Sequence, residues 1–147
     1  ATTEIYTVSL HDALPIWVLA VLNVDGYPYA VPVNYVSEGL KLWVHCAQEG
    51  AKIEAILAHP SVSFTVVGRH AVDAKRFSSD YESIICFGQA QVMDDSALKI
   101  EVLQRFIKKY APANIENGFN YVNNDHMKTS VIEIAIEHIS GKTNIKG

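Results

Sequence analysis

Hydrophobic and polar positions alternate along most of this chain, and the alternation breaks at a few short places that mark turns. Residues 17–24 read as a strand by composition, and the Asp25-Gly26 that follows is a strong hairpin signal. Residues 27–36 form the expected partner strand, with Val31, Val33 and Tyr35 on one face. Pro28 and Pro32 bring no amide hydrogen to a ladder, which predicts an edge or a bulge there. Such an edge leaves backbone groups for a flat ligand; it is equally the description of a plain edge strand. Ser37-Glu38-Gly39 turns the chain into a third strand at 40–46. Residues 61–67, with Val62, Phe64 and Val66 facing one way, then 81–93 and 129–139, complete six strands. Gly88, inside the fifth, predicts a bulge or a bend.

Two stretches carry the helical period instead. Residues 50–59 place Ile53, Ile56 and Leu57 on one face, Pro60 sets the stop, and His59 reads as a C-terminal cap. Asp94-Asp95-Ser96 supplies the N-terminal cap of a second helix of about 14 residues. Its stripe is Leu98, Val102, Leu103, Phe106 and Ile107, and Pro112 ends it. Residues 68–80 read as a polar loop whose Arg69, His70, Lys75 and Arg76 are either solvated or turned to an anion. The Asn-rich residues 113–128 read as irregular. Six strands, short hairpins and two peripheral helices predict a mainly β fold, a closed or nearly closed antiparallel barrel.

Composition narrows the picture. The chain has 147 residues, the size of one domain. At 49% hydrophobic and 19% charged residues it is globular rather than disordered. A formal net charge of -4 argues against a nucleic-acid partner but not against one small anion. Cys46 and Cys86 lie in apolar strand-like runs and read as reduced core thiols of a cytoplasmic protein. The longest nearly apolar run, 13–24, is too short for a membrane span. Residues 1–16 resemble the in-frame translation of a sequencing adapter, so the native domain is expected to be 17–147. Ser9, His11 and Asp12 are accordingly set aside as a catalytic group.

The candidate chemistry lies where the third strand hands over to a helix, at Glu49-Gly50-Ala51-Lys52. The first amides of a helix have no internal partner and carry partial positive charge. Gly50 allows close approach of backbone, and Lys52 adds a full charge that the helix dipole alone would disfavour. That combination suits a phosphate; the other reading is an ordinary connection with a solvated lysine. No Walker-type loop, dinucleotide glycine fingerprint, Cys₄ zinc pattern or nucleophile elbow occurs, and the histidines have no metal-ligand spacing.

Several blocks then stand in a telling order: Pro28-Tyr29-Ala30-Val31-Pro32-Val33-Asn34-Tyr35, His45-Cys46-Ala47, Glu49-Gly50-Ala51-Lys52, Tyr81-Glu82-Ser83-Ile84-Ile85, Phe87-Gly88 and Gly141-Lys142. In that order and spacing the chain resembles the pyridoxamine 5'-phosphate oxidase-related FMN-binding split barrels, nearest their 5-nitroimidazole-resistance, nitroreductase-like branch. The resemblance implies a six-stranded antiparallel split barrel and a homodimer with FMN at the subunit interface. It implies that Val31, Pro32, Val33 and Asn34 follow the isoalloxazine, and His45, Cys46 and Ala47 the ribityl chain and phosphate. Gly50, Ala51 and Lys52 would hold the phosphate, with Tyr81 and Ser83 near the cofactor. His45 is also the position expected beside substrate, as a catalytic candidate, against a histidine merely satisfied inside a barrel. The implied activity passes electrons from a reduced donor to a small acceptor such as a nitroaromatic; the alternative is a flavin- or haem-binding barrel without turnover. Ala51 stands where the pyridoxamine oxidases tend to have arginine, and residues 143–147 lack their basic ending, which disfavours vitamin oxidation.

Overall fold

The computed structural model describes residues 16–145. The adapter-like segment therefore lies outside the described residues, apart from Ile16, which opens the first strand. The strands are β1 (Ile16–Leu22), β2 (Pro28–Pro32), β3 (Val36–Glu38), β4 (Lys41–Ala47), β5 (Ser61–Asp73), β6 (Ser78–Val92) and β7 (Thr129–Thr143). The helices are α1 (Ala51–Ala58), α2 (Ser96–Tyr110) and α3 (Ile115–Asp125), with 3-10 turns at Pro112–Asn114 and His126–Lys128. All strand pairs are antiparallel, in the order β2-β1-β5-β6-β7-β4-β3. This is the mainly β split-barrel class expected from the sequence, with seven strands rather than six.

The extra strand arises because residues 27–36 do not run through. β2 ends at Pro32, and residues 33–35 leave the ladder before β3 begins. β2 is an edge strand, as its two prolines require. The Asp25-Gly26 hairpin is present, with Gly26 at φ 87 and its amide donating to the Asn23 carbonyl. The register of β6 against β7 shifts between Phe87 and Gly88. A Cβ on Gly88 would come within 2.2 Å of the Ala135 carbonyl oxygen, so only glycine fits the bend.

Three other expectations are corrected. Residues 68–80 are not a loop: β5 and β6 continue through a bulge between Val67 and His70 to a tight turn at residues 74–77. The ladder persists there although both faces of the hairpin reach solvent, so no hydrophobic alternation announces it. Residues 113–128 are mostly helical, although asparagine is a poor helix former. Packing overrides propensity: Val122 is buried, and α3 lies so close to α2 that a Cβ on Gly118 would approach Ile107 Cγ2 to 2.3 Å. β7 runs past residue 139 to Thr143 because β6 pairs with it to Glu82.

Two cores result. Leu19, Leu42, Val44, Phe64, Ile84, Ile132 and Ile134 fill the barrel. Val36, Trp43 and Val131, from the opposite face of β3, β4 and β7, meet Val102, Leu103, Phe106 and Val122 of the helical layer. Leu98, assigned to the helix stripe, is half exposed instead. The Asp95 side chain caps α2 by accepting from the Leu98 amide at 3.0 Å.

Candidate functional site

β4 alternates between the two cores. Leu42 and Val44 point into the barrel with Cys46 behind them, while Trp43 is buried under α2. His45 shares the helical face, with its ring edge-on to Phe106 at 4.6 Å. It is therefore not a histidine satisfied inside the barrel: it is exposed at the rim, where partial burial still lowers its pKa. A histidine with a lowered pKa is neutral near pH 7.

Beyond Ala47 the chain leaves the ladder, and Gly50 caps α1 at φ 133, a conformation that side chains resist. No side chain caps this helix start. Open space lies where a Cβ on Gly50 would stand. Lys52, in the first turn, is half-buried rather than solvated. Its charge reaches back to Cys46 and pulls the thiol pKa down, although burial acts more strongly and leaves that pKa raised. Cys46 is thus a protonated, unreactive thiol at neutral pH.

A cleft of about 450 Å³ opens at this corner. Pro32, Val33 and Asn34 form one wall, and His45, Cys46 and Ala47 another. Lys52 from the first turn of α1, and Lys128 and Thr129 around the start of β7, complete the lining. Seven of the twelve residues singled out from sequence thus line a single cavity. Gly50 and Ala51 sit at its helical end without lining it. Val31 packs against the barrel core.

Tyr81 and Ser83 are elsewhere in the chain's own fold. Ser83 pairs with Lys142 of β7, whereas His45 pairs with Val131. Those two rungs are eleven residues of β7 apart, up to about 36 Å of strand. Lys128 and Thr129 were not legible from sequence. They arrive because Ala47 pairs with Thr129, and because the Gln48 side-chain amide donates to the Met127 carbonyl. The signal that finds them is the pairing of the third and last strands, which alternation alone does not specify. Lys128 also pairs with Asp125 at 2.9 Å. Among the described residues, no group of three or more His, Cys, Asp or Glu side chains is placed to hold a metal ion.

An all-antiparallel sheet rolled around one apolar core, with a polar cleft at a strand–helix corner, defines this molecule as a split barrel. The family model described as pyridoxamine 5'-phosphate oxidase matches residues 7–143, and the chain belongs to that family. No protein of curated function matches its sequence. Among solved structures it is similar to a candidate 5-nitroimidazole antibiotic resistance protein from Bacteroides thetaiotaomicron. That match has a TM-score of 0.78 at 23% identity over 96% of this chain and 82% of the other. An FAD- and haem-binding protein from Mycobacterium smegmatis gives a TM-score of 0.81 at 20% identity, over 98% of this chain and 72% of that one. An FAD-binding protein from Mesorhizobium loti gives 0.65 at 24% identity, over 96% and 93%. At these identities the likeness is one of fold.

Proposed function

We propose that this chain is an FMN-dependent oxidoreductase that passes electrons from a reduced donor to a small acceptor, with nitroaromatics the first acceptors to test. The observation that carries this reading is the convergence, in one cleft, of the Pro32–Asn34 wall, the His45–Ala47 wall and Lys52. The residues fit the cofactor. The cleft volume falls within the roughly 300–1,000 Å³ usual for small-molecule sites. A cation lines it, beside a helix start whose amides have no side-chain cap. When bound, FMN supplies the one- and two-electron chemistry that no side chain provides.

The protein's own part is placement. Pro32, Val33 and Asn34 offer a mostly uncharged wall to a flat ring. Asn34 stands outside the ladder, between β2 and β3, where its backbone can hydrogen-bond a ring held against the wall. Lys52 and the amides of α1 meet the phosphate. His45, neutral at the rim, is positioned to hold or accept a proton on a ring nitrogen beside the acceptor. The names of the similar structures support the flavin assignment: one is an FAD-binding protein, another binds FAD and haem. The Bacteroides neighbour motivates the nitroaromatic arm.

A homodimer belongs to the same proposal. On the outer face of β1, β5 and β6, the outward positions are Val18, Ala20, Ser63, Thr65, Val67, Ser83, Ile85 and Phe87. None of these is charged in a chain that is 19% charged, and charge depletion marks the centre of an interface. A second copy docked on this face is also the means by which Ser83 and Tyr81 would come near a cleft from which their own fold separates them.

The test is the absorption spectrum of the purified protein before and after addition of FMN, with its mass in solution. A flavin spectrum that bleaches with NAD(P)H and recovers with a nitroaromatic is the expected result. A flavin that binds but never turns over would leave a carrier, a Soret band would point to haem, and a colourless protein that cannot be reconstituted would refute the proposal.

A further inference from the structure

Residues 33–35 interrupt the chain between β2 and β3 beside the cleft, and at Tyr35 side chains take the place of the ladder. The Val33 amide donates to the Trp17 carbonyl at 3.2 Å, which fixes the near end. At the far end a single hydroxyl serves both backbone groups of Tyr35. Tyr110 Oη accepts from the Tyr35 amide at 3.1 Å and donates to the Tyr35 carbonyl at 2.7 Å. Lys109 Nζ donates to the same carbonyl at 3.0 Å.

The groups that make these bonds are themselves held. Lys109 Nζ lies 3.8 Å from the Tyr35 ring centroid and 5.3 Å from those of Trp17 and Tyr110. Three aromatic faces around one ammonium make a cation–π cage. Trp17 meets Tyr35 and Tyr110 edge-on at 5.3 and 5.8 Å. The Tyr35 side chain is fully buried, edge-on to Phe64 in the barrel core. Partial burial of its ammonium among these rings brings the Lys109 pKa down to about 8, although the residue as a whole stays exposed. Two consecutive residues at the end of α2 thus grip the backbone directly behind the Pro32–Asn34 wall, although neither lines the cleft.

We propose that Tyr110 and Lys109 are positioning residues, which set the ring-facing wall of the cleft by clamping the backbone of Tyr35. The inference rests on the flavin reading and adds a specific division of labour. The clamp governs recognition of the isoalloxazine, whereas Lys52 governs recognition of the phosphate. A wall held by the chain's ordinary ladder would need no such device. Here the ladder is absent, and a buried amide deprived of its acceptor would pull the segment towards water or admit a water molecule behind it.

Riboflavin and FMN separate the two roles, since they share the ring and differ in the phosphate. Both are titrated, by the visible absorption of the flavin, into the wild-type chain and into Tyr110→Phe, Lys109→Met and Lys52→Ala. Tyr110→Phe keeps the ring packing and removes only the hydroxyl. It is expected to weaken riboflavin and FMN by the same factor, about three- to tenfold, the worth of one or two hydrogen bonds. The bound flavin's visible band should shift with it. Lys109→Met is expected to act in the same sense, with Lys109→Arg recovering most of the loss. Lys52→Ala should weaken FMN and leave riboflavin unchanged. Tyr110→Phe and Lys109→Met that bind riboflavin with wild-type affinity and an unshifted band would overturn the inference while leaving the flavin reading intact. So would a loss confined to FMN. A wild-type chain that binds neither flavin would overturn both. If Tyr110→Phe melts below the assay temperature, Lys109→Met and its arginine rescue carry the same measurement.

Discussion

The cleft corner and the β5–β6 arm beyond the Val67/His70 bulge are both polar in sequence, yet they solve the backbone's needs in opposite ways. In the arm the ladder is complete through His70↔Tyr81, Ala71↔Asp80, Val72↔Ser79 and Asp73↔Ser78. Both of its arginines are held by carboxylates of the same two strands. Arg69 pairs with the buried Glu82 at 3.2 Å, and Arg76 reaches both Asp73 and Asp80. At the cleft corner the ladder is missing at residues 33–35 and again between Ala47 and α1, and a lysine stands where the helix dipole would not choose it. Among the described residues Lys52 has no ion pair, whereas both arginines of the arm do, and that contrast rather than polarity as such distinguishes the two regions.

The comparison can be broken at several points. The severest change strikes the scaffold that both regions share. Gly88→Ala drives a Cβ into the Ala135 carbonyl, and thermal melting should show a loss of about 3 kcal/mol or more. A matched pair of lysines comes next. Lys52→Ala should cost ten- to a hundredfold in FMN affinity, about 1.5–3 kcal/mol for a charge-assisted contact. Lys75→Ala, in the arm's turn, should leave FMN affinity unchanged; an equal loss there would erase the distinction between the regions.

A smaller effect concerns acid. The Arg69 guanidinium holds the Glu82 carboxyl below the usual carboxylate range. With the folded pKa depressed, the pair's contribution is present above the unfolded value, near 4.3. It is lost as pH falls through the lower folded pKa. The melting temperature should therefore drop on acidification below about pH 4. Glu82→Gln should flatten that part of the profile. Smallest of all, Phe77→Ser in the turn should move stability by less than about 0.5 kcal/mol, because Phe77 is 96% exposed.

What was legible in the sequence follows the same division. The first hairpin was readable because Asp25-Gly26 has only one common use, and the Gly88 bend because a strand interior rarely tolerates glycine without a reason. The handover to α1 was readable because alternation gives way to a helical period at a glycine. The arm was not, because its pairing leaves no apolar face to repeat. Nor was α3, whose asparagines argue against a helix held in place by Gly118 and Val122. Lys128 belongs to the cleft through strand pairing eighty residues away from Gln48, and Tyr110 reaches Tyr35 across a similar separation. Local pattern does not encode such meetings. The hydrophobic stripe of α2 showed that the helix packs, without showing that its last turn would grip the wall of the cleft.

β7 joins the two regions unevenly. β4 pairs with it from Thr129 to Ala135, and β6 from Ile132 to Thr143, so only the four residues from Ile132 to Ala135 have a strand on each side. Amide hydrogen exchange should be slowest in that short overlap and faster towards both ends. Local opening at the Thr129 end would then leave the arm's end of β7 paired.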